Sequence, residues 1–168
     1  KYFISYPDSV MVMKFTANQS GKQNLILSYC PNSEAKSNLR ADGKDGLVYT
    51  GVLDNNGMKF AFRIKAIHKG GTLEAENDRL IVKGADEVVF LLTADTDYKM
   101  NFNPDFKDPK TYVGNDPEQT TRIMMDQAVQ KGYDELYRNH EADYTALFNR
   151  VRLQLNPCLL YTSDAADE

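Results

Sequence analysis

The sequence predicts a mainly β protein: an antiparallel β-sandwich, partial in extent, followed by a two-helix linker segment. Three observations carry that prediction. Short apolar or alternating runs recur through the first two thirds of the chain, each bounded by Gly, Asn or Asp. One of them, Met58–Ala66, alternates apolar with charged side chains at the period of a half-buried strand. After Asp116 the apolar residues change to the three- and four-residue steps of an amphipathic helix. The boundaries read as residues 1–114 for the sandwich, 115–157 for the linker with a short returning strand, and 158–168 for a tail.

Taken in order, Ser9–Phe15 and Asn24–Tyr29 read as strands joined by the turn formers Asn18–Gly21. Residues 31–46, rich in Asn, Ser, Lys, Asp and Gly, read as a long polar connection. Gly46–Leu53 and Met58–Ala66 form a hairpin around Asp54–Gly57, where Asn56-Gly57 suits a type I′ turn because both positions take positive φ. Met58, Phe60, Phe62, Ile64 and Ala66 are expected in the core, with Lys59, Arg63 and Lys65 facing water. Thr72–Glu76, Arg79–Lys83 and Glu87–Thr93 follow as strands, punctuated by Gly70-Gly71, Asn77-Asp78 and Gly84–Asp86. Val88–Leu92 is apolar throughout, as a central strand would be. Such a meander must bury its apolar face on another layer, and a second sheet supplies one most simply.

Asp116-Pro117-Glu118 is a helix start, with a capping carboxylate, Pro at the first helical position and an acid in the first turn. The helix is expected to run to about Lys131 and stop at Gly132. Asp134 would cap a second helix, along which Tyr133, Leu136, Tyr137, His140, Tyr144, Leu147, Phe148 and Val151 build one apolar stripe. Tyr137, His140, Tyr144 and Phe148 are the candidate domain-interface residues on it. Val151–Leu155 alternates like a strand returning to a sheet. Between sandwich and helices, the irregular segment Tyr98–Asn115 presents Phe102, Phe106 and Tyr112, whose rings suit a sugar face or a domain contact.

Composition bounds the function. The 168 residues, 42% hydrophobic and 26% charged, match a globular domain, and no apolar run approaches the roughly 20 residues that span a bilayer. Residues Cys158–Glu168 do not continue the preceding pattern and match one frame of a translated transposase adaptor, so an assembly scar is expected there. Without that tail the acidic residues fall from 24 to 21 against 20 basic ones, near neutrality, which gives no footprint for nucleic acid. Cys30 then stands alone, with no disulfide framework and no metal cluster. The chain opens Lys1–Tyr6 as though inside a strand, and the compartment is not legible from this terminus.

The residues capable of chemistry form no recognisable constellation. Asp95 and Asp97 could be paired carboxylates, but glycosidase acids flank a bond from opposite sides, and turn structure is the better reading. His68 beside Gly70-Gly71 reads as solvated, and His140 as a packed residue of the helical stripe. Asp42–Gly46 has too few acids for a calcium loop and reads as a turn. No residue is assigned a catalytic, cofactor-binding or metal-binding role.

Two stretches carry more than pattern. Val52–Ala66 (VLDNNGMKFAFRIKA), continued by Glu87–Tyr98, resembles the N-terminal domain of glycoside hydrolase family 95. Tyr133–Leu155, with YRNHEADY at 137–144 and LFNRVRL at 147–153, resembles that family's helical linker, especially in α-L-fucosidases of the Bacteroides type. The resemblance implies a parent that removes terminal, typically α-1,2-linked, fucose from glycans with inversion and without a metal or organic cofactor. Some relatives take α-L-galactosides. It also implies a periplasmic or secreted parent whose C-terminal barrel of paired helices holds the catalytic groups. That barrel would be this chain's partner, fucosylated glycans the parent's substrates, and the chain alone inactive. A carbohydrate-binding module and a structural or interaction domain of an unrelated protein are the alternatives.

Overall fold

A computed structural model describes residues 1–30, 35–76, 78–100 and 114–153. Among the described residues, nine strands form two antiparallel sheets. The larger has the order β1 (Tyr2–Ser5), β2 (Val10–Thr16), β9 (Glu87–Thr96), β6 (Lys59–Lys69), β5 (Gly46–Leu53) and β4 (Ala35–Ala41). The smaller has the order β3 (Gln23–Ser28), β8 (Arg79–Ala85) and β7 (Thr72–Ala75). The one helix among the described residues, α1 (Pro117–Phe148), lies on the opposite face of the larger sheet.

The layers follow from which side chains need cover. Leu47, Ile64, Ala66, Val88 and Phe90 on the larger sheet meet Leu80, Val82 and Ala85 of the smaller one, which makes the sandwich core. Phe3, Val10, Val12, Val89 and Leu91 face the other way and meet Met125, Ala128 and Leu136 of α1. β9 is the shared element. Paired with β2 and β6, it alternates between the two cores, as its continuous apolar run requires. Each fully buried aliphatic or aromatic side chain here stabilises by about 1.5–3 kcal/mol.

Several expectations are corrected. Residues 35–41 form a strand rather than polar connection, because β4 is an edge strand paired, among the described residues, only with β5 and its Lys, Ser and Asn side chains meet water. Asn56 lacks the positive φ of a type I′ turn. Only Gly57 has it (φ 76), and the Asn56 side chain instead accepts from the Met58 N–H at 3.0 Å. Gly70 and Gly71 do take positive φ (69 and 65), and a Cβ on Gly71 would stand 2.2 Å from the Lys83 carbonyl oxygen. The two expected helices are one element: Gly132 is non-helical (φ 73, ψ 170), yet the helix resumes beyond it, giving a kink in place of a stop. Residues 151–153 do not return to a sheet, and Val151 and Leu153 are exposed. Residues 158–168 lie outside the described residues.

Arg63 is the most consequential correction. Expected in water, it is only 2% exposed, because α1 covers that face of β6. Its Nη1 donates to the Asp42 carboxylate, while Nε and Nη2 find no partner among the described residues. A buried cation with one counter-charge depends on that partner. Asp42→Ala should therefore lower the unfolding free energy by about 1–2 kcal/mol, the partial exposure of Asp42 moderating the loss. Arg63→Met, which removes the charge and keeps the volume, should cost less. Urea denaturation of both variants checks this, and a larger loss for Arg63→Met would refute it.

Candidate functional site

The helical stripe divides at its middle into a half that holds the sandwich and a half that faces outward. Beyond Gly132, Leu136 is fully buried in the helix-side core. Around Phe3 of β1, the rings of Tyr133, Tyr137 and His140 stand at centroid distances of 5.9, 5.5 and 5.0 Å, with His140 stacked and the tyrosines edge-on. The ammonium groups of Lys1 and Lys14 lie 3.6 and 4.2 Å from the ring centroids of Tyr137 and Tyr133. His140 Nδ1 is 2.8 Å from the Ile4 carbonyl oxygen, so that nitrogen carries a proton and donates there. Two of the four candidate interface residues, Tyr137 and His140, are thus engaged with β1.

The other two are open. Tyr144 and Phe148 stack at 5.4 Å and are 54% and 63% exposed, with Leu147 exposed beside them. Positions 144, 147 and 148 are neighbours at helical spacing, so the exposed apolar side chains form one strip and not scattered singles. The acidic and polar residues of this turn, Glu141, Asp143 and Thr145, fall beside it.

Asp8, which sequence reasoning missed, fixes the direction of this outward half. Its carboxylate, 2% exposed, lies in the turn between β1 and β2. It accepts from Ser5 Oγ, from Lys131 Nζ at 2.6 Å and from Asn139 Nδ2 at 3.1 and 3.2 Å. Lys131 precedes the Gly132 kink and Asn139 follows it, so one carboxylate holds both arms of the bent helix. Burial by itself raises the Asp8 pKa, but the hydrogen bonds from Lys131, Ser5 and Asn139 outweigh it and hold the carboxyl below the ordinary range. Lys131 is pushed up in turn, first by its hydrogen bond to Asp8. Beyond Ser5, no local signal marks this node, since its helix partners Lys131 and Asn139 lie 123 and 131 residues away in sequence.

The remaining candidates are structural. Asp97 is buried: its Oδ1 accepts from Lys59 N–H at 2.9 Å, and its carbonyl from Gly114 N–H at 2.8 Å, so it pins the end of β9 to the start of β6. Asp42 and Asp45 pair with Arg63 and Lys65 in a turn closed by the Asp42 N–H to Gly46 carbonyl bond of 2.8 Å. His68 is exposed with Nδ1 against the Gly70 carbonyl oxygen. Among the described residues no group of three or more His, Cys, Asp and Glu is placed to hold a metal ion. No described helix is long and apolar enough to cross a membrane. Phe102, Phe106 and Tyr112 lie outside the described residues.

Because the Asp8 pKa lies lower in the folded chain than in the unfolded one, its stabilisation is fully present above the unfolded value, about 3.9. It is lost as pH falls through the lower folded value. Asp8→Asn should consequently flatten the acid side of the stability profile below about pH 4, while leaving a less stable protein at neutral pH. Thermal unfolding of both forms between acid and neutral pH checks this; parallel acid limbs would refute it.

Comparison with known proteins agrees with this architecture. Residues 1–101 match the family model described as glycosyl hydrolase family 65, N-terminal domain. A probable α-fucosidase A from Aspergillus niger is 27% identical over 163 residues, which covers 91% of this chain and 20% of that protein. Alpha-L-fucosidase 2 from Arabidopsis thaliana is 27% identical over 180 residues, covering 93% and 20%. The chain thus spans about a fifth of the length of these relatives. With more than half of its residues matched by that model, the chain belongs to the family of glycosyl hydrolase family 65 N-terminal domains.

Proposed function

We propose that this chain is the non-catalytic N-terminal sandwich and linker of an inverting α-L-fucosidase of glycoside hydrolase family 95, one that removes terminal α-1,2-linked fucose from glycans. The observation that carries the reading is the pair of relatives named as α-fucosidases, each aligned over more than nine tenths of this chain. The described residues are consistent with a supporting role. Asp8, Asp42, Asp45, Asp86, Asp97, Asp116 and Glu118 are engaged in turns, caps and ion pairs, and Asp95 and Asp97 sit at a strand end where Asp97 holds backbone.

The outward strip of Tyr144, Leu147 and Phe148 then docks the catalytic helical barrel of the same protein. It lies at the far end of a helix whose near end is fastened to the sandwich, where a linker would meet the next domain. Fully burying side chains of this kind is worth about 1.5–3 kcal/mol each, enough to set the relative position of two domains.

Two measurements test these statements. The 168-residue chain should release no fucose from α-1,2-fucosylated lactose, whereas the protein expressed through its whole reading frame should release it. Fucose release by the short chain would refute the non-catalytic role, and action of the long form on another glycoside alone would refute the fucosidase. The triple change Tyr144→Ser, Leu147→Ser, Phe148→Ser should leave the unfolding free energy of the short chain within about 0.5 kcal/mol, as for surface positions. In the long form it should lower the melting temperature by several degrees. No change there would remove the strip as a docking face.

A further inference from the structure

Among the described residues, the helix-side face of the larger sheet is not covered throughout. Beside edge strand β4 it opens into a cleft of about 450 Å³, whose lining includes Lys36, Asn38, Thr50 and Lys59 from the sheet and Asp116 and Glu118 from the start of α1. Register explains the floor. Asn38 opposes Thr50 and Lys36 opposes Val52 across β4 and β5, and Val52 opposes Lys59 across β5 and β6. Residues opposite one another in register share a face, and so do alternate residues along each strand. The wall is fixed to that floor: Arg40 on β4 holds Glu118 at 2.5 Å, and Asp116 accepts from the Glu118 N–H at 3.1 Å as the helix cap.

We propose that this cleft binds one or two residues of a neutral oligosaccharide. Its volume lies within the range of small-molecule sites. The charges lining it balance, with two ammonium groups against two carboxylates, so an anion would meet Asp116 and Glu118 as well as the lysines. Sugar hydroxyls each need both a donor and an acceptor nearby, and the cleft supplies ammonium, amide, hydroxyl and carboxylate groups within one concavity. Among the described residues the side chains of Lys36, Asn38, Thr50 and Lys59 take no protein partner, which leaves their hydrogen-bonding capacity for a ligand. Val52, 38% exposed, gives the C–H face of a pyranose an apolar contact. Because floor and wall are tied together before any ligand arrives, little order has to be gained on binding. The choice of a saccharide over another polyol rests on the glycosidase reading; the site itself is a binding site, distant in sequence from the docking strip.

Amide resonances of the labelled 168-residue chain, followed during titration with α-1,2-fucosylated lactose, with lactose and with sodium sulfate, test the proposal. Either sugar should shift Lys36–Asn38, Thr50–Val52, Lys59 and Asp116–Glu118 together, with a dissociation constant in the millimolar range. The double change Asn38→Ala, Lys59→Ala should weaken that binding about tenfold or more, through lost hydrogen bonds to polar and charged groups. Its spectrum elsewhere should stay that of the parent chain, because both positions are exposed. Absence of shifts with both sugars up to about 50 mM, weaker than any useful site, would overturn the proposal. Shifts with sulfate alone, or sugar shifts unchanged in the double variant, would also overturn it. None of these outcomes alters fucose release by the long form, so the two readings fail separately.

Discussion

A sheet with apolar side chains on both faces has to be covered twice, and this requirement organises the molecule. β9 places Val88 and Phe90 on one side and Val89 and Leu91 on the other, all nearly inaccessible to water. Neither cover is sufficient alone. The three-stranded sheet closes one face, and without α1 the side chains of Phe3, Val10, Val12, Val89 and Leu91 would stand in solvent. The linker helix is for this reason part of the domain's core and not an appendage to it. The same cover explains the polar residues beneath it. Thr93 donates to the Thr121 carbonyl at 3.0 Å, and Thr121 donates to Pro117 at 2.8 Å, which satisfies hydroxyl groups that the helix takes out of water.

How much of this was legible in the sequence depended on whether a residue's surroundings were local. Gly46–Leu53 was readable to the residue, and β6 and β9 within a few positions, because alternation and continuous apolar runs report directly on pleat and burial. β4 was not legible: an edge strand with one neighbour has no need of an apolar alternation, and its Lys36-Ser37-Asn38 reads like loop. Arg63 was misplaced for the opposite reason. The period of β6 gave its face correctly, but only the distant α1 determines that this face is dry. The helical stripe was found as a whole, while its division into Tyr137 and His140 against β1 and Tyr144 and Phe148 in the open depends on where a strand 130 or so residues earlier ends up. The cleft beside β4 escaped notice with the strand that forms its floor.

The kink at Gly132 links the two roles of the helix. A straight continuation would carry the second arm along one line with the first. The change of direction brings Tyr133, Tyr137 and His140 onto Phe3 instead. That direction is held, not left to the glycine, because Asp8 receives hydrogen bonds from both arms and β1 supplies a ring and a carbonyl to the second. Packing alone would tolerate some rotation about the Phe3 contact. The hydrogen bonds to a buried carboxylate do not, since a turned arm would leave that charge short of partners. The β1–β2 turn therefore has a reach beyond its own hairpin. It sets the direction in which the last two turns of α1, with their exposed aromatic strip, leave the sandwich, and hence the place at which any domain docked there must stand.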